Sequence, residues 1–134
     1  MRRMECDKCF VCGPENPIGL HLNIEEGEGW AKATWTIKEP FIGYENIFHG
    51  GIMATILDDL MGHAIYYMDV DVMTVNLEMN YRAPAYVGET VVCEAHVVSY
   101  NGRRTFQTAG SIRRGDTLIA EGKGIMVIVD KNSK

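Results

Sequence analysis

Along this chain the hydrophobic period changes once from strand-like to helix-like, and that change limits what the rest can build. Ile52, Met53, Ile56, Leu57, Leu60, Met61, Ala64, Ile65 and Met68 recur at helical spacing and form one wide apolar face. Every other patterned run alternates as a half-buried strand does. With one apolar helix and several strands, the helix must cover one face of a single sheet.

Residues 20–24 alternate, Gly27-Glu28-Gly29 reads as a turn, and residues 30–37 alternate again, so the two runs predict a hairpin. Residues 39–49 read as a loop with Pro40 and Gly43. After the helix come four strand-like runs, at 73–81, 89–99, 104–113 and 117–129. They are separated by Pro84 with Gly88, by Asn101-Gly102 and by Gly115-Asp116. No crossover helix remains to join parallel strands, so four consecutive antiparallel neighbours are expected. Residues 1–18, with Gly13, Pro14 and Pro17, are expected to form a loop extension ahead of a single domain at 19–130. The expected class is α+β, one long central helix wrapped by a curved antiparallel sheet. One wrapped helix gives a thin core, which favours association between subunits.

Composition narrows the function classes. The net charge of −5 over 134 residues argues against a broad basic surface for nucleic acid, although Arg103 and Arg104 are adjacent, as are Arg113 and Arg114. The longest apolar stretch is interrupted by Asp58, Asp59 and His63, whereas a membrane span needs about 20 apolar residues. Arg2 and Arg3 precede no apolar run, so no secretory signal is expected and the protein is read as cytoplasmic. Cys6, Cys9 and Cys12 crowd the N-terminus and Cys93 stands alone, which is no extracellular disulfide framework. The spacing Cys6-x-x-Cys9-x-x-Cys12 offers three metal ligands, with His21 or Cys93 to complete a set. It lacks a second knuckle, so no metal is expected and the cysteines are read as small apolar residues.

Asp58 and Asp59 stand in the middle of the helix, where Asp is a poor residue and the neighbours are apolar. At about 100° per residue they flank the apolar face on opposite sides. Periodicity does not choose between them, and a pair of solvated or ion-paired acids fits equally well. Gly50 and Gly51 fall where the helix begins, where free N–H groups carry partial positive charge and a glycine lets a ligand approach the backbone.

The run His49-Gly50-Gly51-Ile52-Met53-Ala54-Thr55-Ile56-Leu57-Asp58 resembles the His-Gly-Gly motif and helical Asp of phenylacetyl-CoA-type thioesterases, within the 4-hydroxybenzoyl-CoA thioesterase group. Thr74-Val75-Asn76-Leu77-Glu78-Met79-Asn80-Tyr81-Arg82-Ala83-Pro84-Ala85 is similar to the strand that follows, and the resemblance covers residues 18–129. It implies the hotdog fold and hydrolysis of an acyl- or aroyl-CoA thioester without a dissociable cofactor. By its spacing from His49, it implies Asp58 as base or nucleophile, with the Gly50 N–H as oxyanion donor. His49 would orient the loop, and Thr74 matches a Ser/Thr position near the reacting centre. Gly51, Asp59, Arg82, Arg103 and Arg104 are substrate-binding candidates, the arginines for CoA phosphates. That branch often carries a carboxamide six residues before the His. Here the position is Gly43, and Asn46, a further candidate, stands three before the His, outside that register. His63 and His96 are read as structural.

Gly50 and Asp58 lie eight residues apart, which on a helix separates them by about 12 Å. One thioester carbonyl cannot meet both within a chain. A two-fold dimer with antiparallel helices would pair them across subunits, so a homodimer, or a homotetramer as a dimer of dimers, is expected. A non-catalytic acyl-CoA-binding module is the alternative, although a binding tunnel gains nothing from a buried acid. A hotdog hydratase or dehydratase fits His49-Gly50-Gly51 poorly.

Overall fold

The computed structural model describes residues 6–129, so Arg2 and Arg3 lie outside the described residues. Six strands form one antiparallel sheet: β1 (Glu25–Gly27), β2 (Trp30–Thr36), β3 (Val72–Tyr81), β4 (Thr90–Tyr100), β5 (Thr105–Arg114) and β6 (Thr117–Ile128). One α-helix, α1 (Gly50–His63), packs across it. The expected architecture of one helix wrapped by a sheet is therefore present.

Two expectations about strands are corrected. The sheet order is β1-β2-β4-β5-β6-β3, so β3 pairs with β6 and forms the far edge instead of lying beside β4. The chain leaves β2 at one side, passes through α1 and returns at the other, and β4 then pairs with β2. Residues 20–24 are not a sheet strand. Their alternation is real, since Leu20 and Leu22 are buried, but Leu20 N–H donates to Phe10 O and Leu22 N–H to Val11 O, each at 2.8 Å. The N-terminal loop takes the place of a neighbouring strand, and Val11 joins the core.

The helix buries Met53, Ile56, Leu57, Leu60 and Met61 against the concave face of the sheet. That face presents Ala33 and Trp35 from β2, Cys93 and Ala95 from β4, Phe106 and Ile112 from β5, and Ala120 and Met126 from β6. Burying a side chain such as Leu57 or Leu60 contributes about 1.5–3 kcal/mol. The helix approaches closely because Gly110 on β5 and Gly122 on β6 are direct cross-strand partners beneath it. A Cβ at Gly110 would lie 3.1 Å from Leu57 Cδ2, and one at Gly122 would lie 3.5 Å from Leu57 Cδ1. The α-helix ends at His63, and the remaining apolar period runs into a 3-10 turn at Tyr66–Met68, closed by Asp69 at φ 56°.

The two edges of the sheet differ. β1 is three residues long, whereas β3 is ten residues long and pairs only on its β6 side. Met73 and Val75 on β3 are each 58% exposed in the single chain. A long edge with open backbone groups and exposed apolar side chains is a template for pairing with another strand.

Candidate active site

The first turn of α1 has an uneven supply of hydrogen-bond partners. His49 is the N-cap residue, and its Nδ1 accepts the Gly51 N–H at 2.9 Å. Its carbonyl oxygen accepts from both Ile52 and Met53 N–H at 3.1 Å. Three of the helix's leading N–H groups are thereby satisfied. The Gly50 N–H has no acceptor among the described residues. The Tyr81 hydroxyl, from the end of β3, donates to Gly50 O at 2.7 Å and ties this turn to the sheet. Burial pushes the Tyr81 phenol above its usual range, so it stays a donor at neutral pH. Gly50 opens into a pocket of about 380 Å³ shared with Ile47, Phe48, Met53, Tyr81 and Ala83. Sequence carries no signal for this role of Tyr81, since an aromatic residue is common in any strand.

Asp58 projects from α1 toward β3, where its Oδ1 accepts the Thr74 hydroxyl. Helix and strand run antiparallel, so β3 meets α1 at both ends, Thr74 against Asp58 and Tyr81 against Gly50. The pairing of β3 with β6 slips between Thr74 and Asn76, which makes Val75 a bulge beside the Asp58 partner. Asp58 therefore stands half-buried at the open edge of the sheet.

Packing separates the two adjacent acids. Asp59 faces the opposite way, with its Oδ1 3.6 Å from Cys9 Sγ and its Oδ2 3.3 Å from His63 Nε2. His63 Nδ1 in turn lies 2.7 Å from Glu26 Oε1. Burial alone would lower the His63 pKa, but the facing carboxylates of Asp59 and Glu26 outweigh it and raise it.

The other candidates are spread around the molecule. Asn46 sits exposed in a tight turn, Tyr44–Ile47 by its hydrogen bond, with Glu45 at φ 54° and Asn46 at φ 63°, the pattern of a type I′ turn. Its carbonyl accepts Val87 N–H, which fixes the loop that delivers His49. Gly51 is exposed on the Asp58 side of the helix, and its carbonyl accepts the Thr55 hydroxyl. Arg82 borders the Gly50 pocket and is paired with Glu121 at 2.7 Å. Arg103 and Arg104 lie in the β4–β5 turn, where Asn101 Oδ1 accepts both of their N–H groups and Arg104 Nη2 donates to Ile128 O. Ile128 pairs with Val72 and Ala120 with Tyr81, so the turn arginines and Arg82 occupy opposite ends of the sheet. His96 lines a concavity of about 570 Å³ on the outer face of the sheet with Glu94, Arg113 and Lys123. That concavity includes neither Gly50 nor Asp58.

Residues 45–121 match the profile of the thioesterase superfamily. Acyl-coenzyme A thioesterase THEM4 of Bos taurus is 31% identical over 132 residues, which is 96% of this chain and 54% of that protein. This chain thus spans about half the length of the bovine relative. Acyl-coenzyme A thioesterase 13 of Homo sapiens is 31% identical over 112 residues, 81% of this chain and 80% of that one. Among solved structures, zebra fish thioesterase superfamily member 2 superposes with a TM-score of 0.79 at 19% identity, covering 92% of this chain and 94% of the other, and shares the hotdog fold. With the profile covering more than half of its length, this chain belongs to the thioesterase superfamily.

Proposed function

We propose that the protein hydrolyses acyl-CoA thioesters, in the manner of the phenylacetyl-CoA-type branch, at a site built from two subunits. The observation that carries this is the state of two positions on α1. Its first residue offers an uncommitted Gly50 N–H. Its middle holds the Asp58 carboxylate against Thr74 at an open sheet edge, about 12 Å away. Pairing the free edges of two β3 strands about a two-fold axis sets the helices antiparallel and brings Asp58 of one chain toward Gly50 of the other. The exposed Met73 and Val75 support this edge as the contact.

In this reading the thioester carbonyl oxygen accepts the Gly50 N–H, which stabilises the negative charge that develops there. Thr74 engages Oδ1 of Asp58, leaving Oδ2 to take a proton from the attacking water. The water oxygen bonds to the carbonyl carbon, the C–S bond breaks, and the CoA thiolate leaves and takes the proton held by Asp58, which restores the carboxylate. His49 fixes the geometry of the donor turn. The two-fold arrangement also brings Arg103 and Arg104 of one chain to the end where Arg82 of the other stands, a cationic margin for the CoA phosphates. Among the described residues no helix is long and apolar enough to cross a membrane.

The test is complementation between an Asp58→Asn chain and a Gly50→Pro chain. Proline suits the first helical position, and His49 already has the extended conformation (φ −63°, ψ 127°) that a following proline favours. Each homodimer should be nearly inactive toward a panel of acyl-CoAs. In a heterodimer one site carries both defects and the other neither, so about half of the wild-type activity per dimer returns. Heterodimers confirmed by native mass that remain as inactive as the parents would refute the shared site. If the unsubstituted protein binds acyl-CoAs without hydrolysing them, a binding module becomes the better reading.

A further inference from the structure

The sequence left Cys6-x-x-Cys9-x-x-Cys12 one ligand short, and the fold supplies a carboxylate from 47 residues downstream of Cys12. The thiols of Cys9 and Cys12 and a carboxylate oxygen of Asp59 all lie within 4.8 Å of one another. The sequence candidates for completing the set lie outside this group. His21 Nε2 is engaged with Asn16 O at 2.5 Å, and Cys93 is buried in β4. The cysteines form no disulfides. The geometry points to a structural zinc site made by Cys9, Cys12 and Asp59, with the fourth position open to Cys6, one turn earlier in the same loop, whose thiol lies outside this group.

The dimensions suit zinc. Bonds of about 2.3 Å to sulfur and about 2.0 Å to carboxylate oxygen, at the tetrahedral angle, place the two ligand atoms about 3.5 Å apart. Cys9 Sγ and Asp59 Oδ1 are 3.6 Å apart. The loop is wound as a metal knuckle needs. Cys9 N–H donates to Cys6 O at 3.0 Å and Gly13 N–H to Cys9 O at 2.9 Å, so two successive turns wrap the sulfurs. A Cβ at Gly13 would lie 2.3 Å from Cys9 N and 2.5 Å from Asp7 O, both backbone atoms, so only glycine fits there.

Two further observations point to a cation. Asp59 Oδ2 and His63 Nε2 are both buried without a hydrogen bond, although they face each other at 3.3 Å. Metal-bound carboxylates are commonly held by an outer partner that is itself hydrogen-bonded, and Glu26–His63–Asp59 forms such a chain. The cluster also gathers acidic groups around thiols. Asp59 faces the thiols of Cys9 and Cys12, and a divalent cation would bind all three as anions. Zinc here would clip the N-terminal loop to α1. It would also hold Asp59 on the side of the helix away from Asp58, so that only one of the twin acids faces the sheet edge.

The test uses the full chain, purified without chelator from zinc-supplemented medium. About one zinc per chain is expected by elemental analysis, falling below a tenth of that in Cys9→Ser/Cys12→Ser. Chelator-treated wild-type protein titrated with Co2+ should show thiolate-to-cobalt charge-transfer absorption that saturates at one equivalent. Asp59→Asn should weaken Zn2+ binding at least tenfold, and Cys93→Ser should leave it unchanged. The wild-type arms decide the matter even if the double variant fails to fold. Less than a tenth of an equivalent of zinc, no cobalt–thiolate band, and thiol reactivity toward a disulfide reagent unchanged by Zn2+ would overturn the proposal.

Discussion

Replacing Leu57 with Ala tests how the helix is seated. Leu57 is fully buried and straddles the Gly110–Gly122 pair, so its two methyl groups lie over strand positions that carry no side chain. Removing three carbon groups forfeits about 2.4 kcal/mol of transfer free energy. Backbone held in two strand ladders relaxes little, so most of the cavity persists, and the total should reach about 4 kcal/mol, within the span known for Leu→Ala. For a domain of this length, the melting temperature should fall by roughly 12–20 °C. Gly122→Ala alone should cost about 1–3 kcal/mol, because its Cβ meets Met79 Sδ at 2.8 Å and Glu78 O at 3.2 Å. In the Leu57→Ala background part of the added methyl refills the cavity, and the double cycle should show favourable coupling of about 1 kcal/mol. Urea denaturation followed by tryptophan fluorescence, at one protomer concentration, reads all four proteins. A loss below about 2 kcal/mol for Leu57→Ala, or additivity within about 0.4 kcal/mol, would refute the glycine-floor argument.

Three other outcomes are expected. Thr74→Val removes the donor to Asp58 and should lower kcat/KM roughly 10- to 150-fold, corresponding to a hydrogen bond to a charged group, while Thr74→Ser should retain most activity; equal losses in both would exclude the hydroxyl as the cause. Asp58→Asn should abolish most turnover with little change in melting temperature. Asp59→Asn should do the reverse, lowering the melting temperature and costing far less turnover, and an exchange of these two effects in paired kinetic and thermal assays would assign the acids the other way. Arg103→Ala/Arg104→Ala should raise KM for an acyl-CoA about tenfold by removing phosphate contacts, yet leave the KM for a phosphate-free thioester of the same acid unchanged; parallel rises for both substrates would remove the arginines from phosphate binding.

Much of the fold is legible because it depends on period. The α1 face and the runs 73–81, 89–99, 104–113 and 117–129 lie close to the observed α1, β3, β4, β5 and β6. The partner of β3 was not legible, because alternation says which face of a strand is buried and nothing about which neighbour it meets. Leu20 and Leu22 show the same limit, since their burial was readable and their pairing with residues 10–11 was not. At the site, the helical period set Asp58 and Asp59 on opposite flanks and stopped there. Only packing puts Thr74 beside one acid, and Cys9 with His63 beside the other. Clusters such as Cys9, Cys12 and Asp59 escape a linear reading because their spacing exists only in three dimensions.

The eight-residue interval from Gly50 to Asp58 behaves as a ruler, since both residues sit on one unbroken helix and each is tied to the same strand. Inserting a single alanine between them would advance Asp58 by about 1.5 Å and swing it about 100° around the axis, out of reach of Thr74 while Tyr81 still holds Gly50. Substitutions along this stretch change what a side chain offers, whereas insertions and deletions change where Asp58 points. Among functional descendants of this sequence, the length of the segment from 50 to 58 should therefore be held fixed even where its exposed residues drift.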